Sequence, residues 1–353
     1  MGEARPAGVH SPRNLNVDLI RVFACFLVIS VHFFPNTSFY AQPIVGAPMF
    51  ALTFIRNFSM ICVPLFMILT GYLSRHFVYD KKHILRFVHI LIVYLLSTIV
   101  CKLYRMFFLG YSFSLKEWIY GLIDFSGAPY AWYVEMYLGM LIMIPFLNAG
   151  WQSMTDAGKR TALLGFVVLV SAHTVIPSRG LFDYWAALYP VMYYFVGAYL
   201  AEHPPRIEAK RLGVLAVAAA VLLALGSYVL DHGMTFRARP FVDHSSVYVL
   251  VVSVLFFQVV RVLDLSALPE RLCCLIQWAA KATLPAYLVS YCFDCSIYEP
   301  FCQLVPLAAD QLPYYFLLVP VNFIGSILIG SAVAWCSDLL FKPVRTLVNR
   351  LPF

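Results

Sequence analysis

Charge is what this chain has least of: only 12% of its 353 residues are Asp, Glu, Lys or Arg, while 61% are hydrophobic. Ordinary soluble domains are about a quarter charged and about half apolar. A soluble domain cannot bury so much apolar surface, which excludes a soluble enzyme or binding module. The chain also lacks any internal repeat with a period of roughly 20 to 50 residues, so a solenoid is excluded. Its nine cysteines lie mostly within apolar runs, where Cys behaves as a small hydrophobe. Cys292 and Cys295 form a CxxC, with Cys302 beyond, but no second matched pair accompanies them. Neither a disulfide framework nor a metal site is therefore expected, and no nucleic-acid partner is expected either.

What the chain does have is a succession of apolar runs, each long enough to cross about 30 Å of hydrocarbon. Punctuation by charged, Pro, Gly and Asn residues divides them into ten spans: 15–34, 52–74, 84–109, 130–149, 161–177, 184–201, 211–230, 245–263, 273–296 and 313–336. The expected fold is an all-α, polytopic membrane protein of about ten transmembrane helices. Residues 1–13 would form a tail, 14–337 the membrane domain and 338–353 a C-terminal tail, part of it a short amphipathic helix along the inner surface. A basic tail before an apolar run also suits a signal peptide, but Asp18 and Arg21 within the run argue for a permanent helix. With the N-terminus inside, sixteen basic residues fall in inner segments, and four, Lys116, Arg179, Arg237 and Arg239, fall in outer loops. That asymmetry predicts cytoplasmic termini and a multi-pass protein of the cell membrane.

A charged group in a bilayer costs at least about 2.5 to 3.5 kcal/mol, so each one needs a polar or watery surrounding. On the first span Asn14, Asp18, Arg21, Cys25, Val28 and His32 follow steps of three and four and form one stripe. The other faces are Leu, Ile, Val and Phe, so the stripe should face the bundle interior. Arg21 and His32 would then share a face about 16 Å apart along the axis, at about 1.5 Å per residue. The guanidinium is suited to a phosphate or carboxylate and the imidazole to proton chemistry. The plainer alternative is an Asp18–Arg21 pair with His32 snorkelling to the outer interface. On the second span Arg56 opens the helix, Pro64 interrupts its ladder and Gly71 permits close helix approach. Glu135 on the fourth span and Asp294 on the ninth require partners, for which Arg56, Lys281 and His32 are the candidates. Lys102 and Arg105 are expected to snorkel.

The segments "DLIRVFACFLVISVH", "VPLFMILTGYL", "YAWYVEMYLGMLIMIPFLN", "YPVMYYFVGAYL" and "LPAYLVSYCFD" together resemble the acyltransferase-3 family of integral membrane acyltransferases. The resemblance implies transfer of an acyl group, most often acetyl from acetyl-CoA, to a sugar hydroxyl of a cell-surface glycan, typically in bacteria. It also implies ten core helices with a cytoplasmic N-terminus. His32 matches the family's essential histidine and Arg21 the arginine eleven positions before it. Two features depart from the family pattern. After the second span, where many relatives have Arg-x-x-Arg, this chain has His83 and Arg86 beside Lys81 and Lys82; where relatives end the ninth-helix segment in Tyr-Leu-x-His, it has Ser290, with Asp294 one turn on.

Acyl transfer to a hydroxyl needs a base, a dry site and donors for the thioester oxygen and the phosphates. His32 is the expected base or, alternatively, a transient acyl carrier. Arg21 would hold the CoA moiety or polarise the thioester, and Asp18 would orient Arg21. Arg75, Lys82 and Arg86 would hold the nucleotide phosphates, although the charge asymmetry explains basic residues there equally well. Arg56, Glu135 and Asp294 complete the expected binding set. The implied partners are acyl-CoA, a glycan or other hydroxyl acceptor, and the lipid bilayer. A transporter or flippase would use the same residues to relay protons, but neither an inverted repeat nor paired broken helices mark the two halves.

Overall fold

The computed structural model describes residues 13–175, 183–237 and 242–350. The chain forms an all-α bundle, and each of the ten expected spans contains helix. In chain order these are α1 (Leu15–Phe33), the pair α2 (Gly46–Ser59) and α3 (Cys62–Ser74), α4 (Lys81–Phe108), α6 (Trp132–Gln152), α7 (Asp156–Val175), α8 (Tyr189–Glu202), α9 (Ala209–Asp231), α10 (Val247–Val262), α11 (Glu270–Leu304) and α12 (Ala308–Arg350). A further short helix, α5 (Leu115–Ile123), lies in the segment after α4. Seven helical stretches among the described residues are long and apolar enough to cross a membrane, and α10 is a shorter apolar one. This is a polytopic membrane protein. Arg5, Arg179, Arg239 and the end of the span 161–177 lie outside the described residues.

Several boundaries differ from the sequence reading for local reasons. The second span begins six residues early, at Gly46 rather than at position 52, so Arg56 stands in the last turn of α2 instead of opening a helix. Among the described residues no separate amphipathic helix follows the last span. Instead α12 runs unbroken to Arg350 through Pro313, Pro320 and Pro343, because neighbouring helices can satisfy the carbonyls that proline frees in a bundle. Lys102 does not snorkel to water. It is 2% exposed, and its Nζ donates to the Glu117 carbonyl (2.8 Å) above the rings of Phe113 and Trp118. That bond ties the segment after α4 down onto the bundle. At its far end the hydroxyl and N–H of Ser126 both donate to Asp124 and hold its carboxyl below the usual carboxylate range, which firms the turn leading to Tyr130.

Contacts between loops sort the helix ends into two groups. The start of α1 meets the end of α10 and the first turns of α11, where Asn16 donates to the Val260 and Leu263 carbonyls and Arg13 to that of Gln277. Arg261 of α10 donates to Leu200 of α8, Trp151 of α6 to Glu202 of α8, and Asn148 of α6 to the carbonyls of Ser74 and Phe77. Lys81 at the start of α4 reaches Asn349 at the end of α12. Both described termini therefore share one end of the bundle, the end that the positive-inside rule assigns to the cytoplasm.

α3 and α8 approach each other closely. A Cβ on Gly71 would lie 1.9 Å from the Tyr194 carbonyl oxygen, and one on Gly197 would lie 1.9 Å from that of Ile68. Each glycine admits the other helix's backbone, the close approach that small residues permit in membrane bundles. α1 packs between α3 and α11, which sets its polar stripe against the bundle interior.

Candidate active site

At the basic end of α1, Asn14 caps the helix by accepting from the N–H groups of Asn16 and Val17. One turn later Asp18 is fully buried and ion-paired with two arginines. Arg21 Nη1 donates to its Oδ1 at 2.8 Å, Arg13 Nη2 donates to the same oxygen at 3.1 Å, and Arg13 Nε binds Oδ2. A buried carboxylate between two guanidiniums fixes the orientation of both. Arg21, its side chain about one-third exposed, keeps its remaining donors for other groups.

Eleven residues along the same stripe stands His32, its side chain 15% exposed. Its Nδ1 faces Oδ2 of Asp294 across 3.8 Å and has no hydrogen-bond partner. At that separation the carboxylate acts on the ring through charge rather than through a hydrogen bond. Asp294 is itself 1% exposed and held from two sides: Tyr130 Oη donates to its Oδ2 at 2.5 Å and Asn322 Nδ2 to its Oδ1 at 2.7 Å. Ser326 in turn donates to Asn322. The Tyr130 ring lies on the imidazole with centroids 3.9 Å apart, and Tyr287 donates to the Tyr130 carbonyl at 2.5 Å. A ring so clamped, with Nδ1 turned to a buried acid, leaves Nε2 as the nitrogen available to a reacting group.

One cavity of about 370 Å³ joins these two sites. Arg21 and Arg86 line it together with Tyr137, His32 lines it together with Tyr133 and Tyr287, and Val28, Phe66, Leu69 and Leu284 form apolar wall. A second imidazole, His244, also lies on the wall. Its Nδ1 is 3.2 Å from the Met60 carbonyl, whose helical donor would be the N–H that Pro64 lacks.

The expected binding residues separate into two groups. Arg86 lies on the cavity with its guanidinium 3.4 Å from the Phe77 ring centroid, and Asp294 sits behind His32. The remaining four do not line the cavity. Arg56 is buried in α2, where it donates to Tyr40 Oη and stacks on Phe236, far in partners from Asp294. Arg75 is half-buried and donates to the Tyr72 carbonyl, and Lys82 is exposed at the start of α4. Glu135 is exposed: Tyr133 and Tyr137, four apart, take the cavity side of α6, which turns the position between them outward.

Tyr130, Asn322, Arg13 and His244 belong to the site, yet the sequence singled out none of them for it. Only Arg13 carried a readable signal, a basic residue two positions before the helix that bears Asp18. The other three reach the site by contacts across 28 to 184 residues of chain.

No curated protein and no solved structure matches the chain. A family model described as an acyltransferase domain matches residues 14–331, from the cap of α1 to beyond the middle of α12. A match of that extent establishes kinship, and the chain belongs to the acyltransferase-3 family of membrane acyltransferases.

Proposed function

We propose that this acyltransferase carries a small acyl group, acetyl in the first instance, from acyl-CoA to a hydroxyl of a cell-surface or secreted polysaccharide, and that it works in the cell membrane. The observation that carries this reading is that Arg21, Arg86 and His32 line a single cavity. Arg21 and Arg86 stand toward the basic end of the bundle, where guanidiniums are the usual phosphate partners. Asp18 holds Arg21 in place, and Lys82 and Arg75 add positive charge outside the cavity. The apolar wall between the guanidiniums and the imidazole suits the narrow arm that bears a thioester, and it excludes water from the reacting bond.

His32 Nε2 takes the proton of the acceptor hydroxyl. The hydroxyl oxygen bonds to the thioester carbonyl carbon as the carbon–sulfur bond breaks, and His32 returns the proton to the departing sulfur. Asp294 stabilises the imidazolium between these two transfers. Mass spectrometry of surface glycans tests the reading in cells that lack the protein, carry the wild type or carry His32→Ala. Acyl esters should appear with the wild type alone. Esters of equal abundance in the His32→Ala cells would refute the base assignment, and glycans identical in all three would refute the acceptor class.

A further inference from the structure

His244 stands in the segment before α10 and shares a cavity wall with His32. It is held there by the turn between α2 and α3. Met60 lies in that turn, and Pro64, the third residue of α3, has no N–H to offer the Met60 carbonyl four residues before it. The His244 ring supplies one, Nδ1 to Met60 O at 3.2 Å, while Tyr193 Oη donates to the His244 carbonyl at 2.9 Å. A carbonyl can only accept. Nδ1 therefore carries the hydrogen, and Nε2 of the neutral ring keeps its lone pair.

The two imidazoles on this wall differ in what stands behind them. His32 has the Asp294 carboxylate 3.8 Å from its Nδ1, so a proton arriving at Nε2 is stabilised. His244 has a backbone carbonyl in that position; its chain neighbour Asp243 acts on the ring through charge alone, and among the described residues no ion pair joins the ring to a carboxylate. It is built to accept a hydrogen bond rather than to hold a proton. We propose that His244 binds the acceptor: its Nε2 takes a hydrogen bond from a second hydroxyl while His32 takes the proton of the reacting one. The residue thereby selects acceptors with at least two hydroxyls over simple alcohols. A site that commits a buried acceptor atom to a substrate hydroxyl rejects the analogue lacking it, because that atom is then left unpaired. This inference rests on the acyl-transfer reading given above.

The test uses full-length protein in detergent, acetyl-CoA as donor and, as acceptor, the surface polysaccharide of the parent cell de-esterified with mild alkali. In His244→Asn the amide nitrogen takes the place of Nδ1 and still donates to Met60, but nothing occupies the place of Nε2. The acceptor KM should rise about tenfold or more, with the donor KM within about twofold of wild type. In Pro64→Ala/His244→Phe the new N–H serves the Met60 carbonyl, so folding no longer depends on the imidazole, and the same rise in acceptor KM is expected. A wild-type acceptor KM in either folded variant overturns the assignment, leaving a ring that merely satisfies a carbonyl. Wild-type protein that acetylates nothing, or a His32→Ala variant that acetylates normally, defeats the acyl-transfer reading and this inference with it.

Discussion

Replacing Asp294 by Asn keeps the size of the side chain and an oxygen for one of its donors but removes the charge behind His32. The carboxylate oxygen lies 3.8 Å from Nδ1, so its attraction to a fully protonated ring is about 4 kcal/mol at an effective dielectric of about 20. Half-complete proton transfer in the transition state would use about 2 kcal/mol of this. At about 1.4 kcal/mol per factor of ten, kcat should fall between about thirtyfold and a thousandfold. The donor KM should move by less than about threefold, because Arg21 and Arg86 are untouched. The assay is the initial rate of thiol release from acetyl-CoA at saturating acceptor, with kcat and both KM values determined separately. A kcat within about threefold of wild type would refute the electrostatic role. Loss confined to KM would instead place Asp294 with the bound substrate.

Gly71→Ala should lower the thermal midpoint in detergent by several degrees and reduce activity, since a Cβ 1.9 Å from the Tyr194 carbonyl forces α3 off α8, overpacking of a kind that costs about 1–3 kcal/mol. Gly139→Ala, with open space at its Cβ, is the control and should change neither. Arg21→Lys retains charge but loses the planar fork, and the acetyl-CoA KM should rise about tenfold, the worth of one charge-assisted hydrogen bond. An unchanged KM would remove Arg21 from donor binding. Glu135→Gln should leave kcat and both KM values within about twofold, because the side chain faces away from the cavity.

The stripe on α1 was legible because helical periodicity alone places residues 18, 21 and 32 on one face, and a bilayer gives a polar stripe only one direction in which to point. Apolar run length showed where helices lie: each of the ten expected spans contains helix, and among the described residues seven helical stretches are long and apolar enough to cross a membrane. Periodicity does not say which partner a buried acid meets across the bundle. The sequence left Asp294 to Arg56, Lys281 or His32; the structure sets it behind His32 and gives Arg56 to Tyr40 and Phe236. Glu135 was misjudged although its own helix held the answer, since the tyrosines on either side of it fix the inward face. Pro64 was read as interrupting the ladder of the second span, but it stands in the first turn of α3, just after the turn that separates α2 from α3. The imidazole that answers the carbonyl freed by Pro64 comes from 184 residues further along the chain, and no local rule joins the two.

The most direct test of a proton-transferring imidazole at 32 served by a guanidinium at 21 is a time course of free thiol from acetyl-CoA with purified protein and a hydroxyl acceptor. Wild type should release thiol in step with acylated acceptor, whereas His32→Ala, folded and inserted, should release it at no more than about one part in a hundred of that rate, in keeping with the usual worth of general base catalysis. Equal thiol release by the two proteins, or acceptor acylated by His32→Ala at the wild-type rate, would contradict the account.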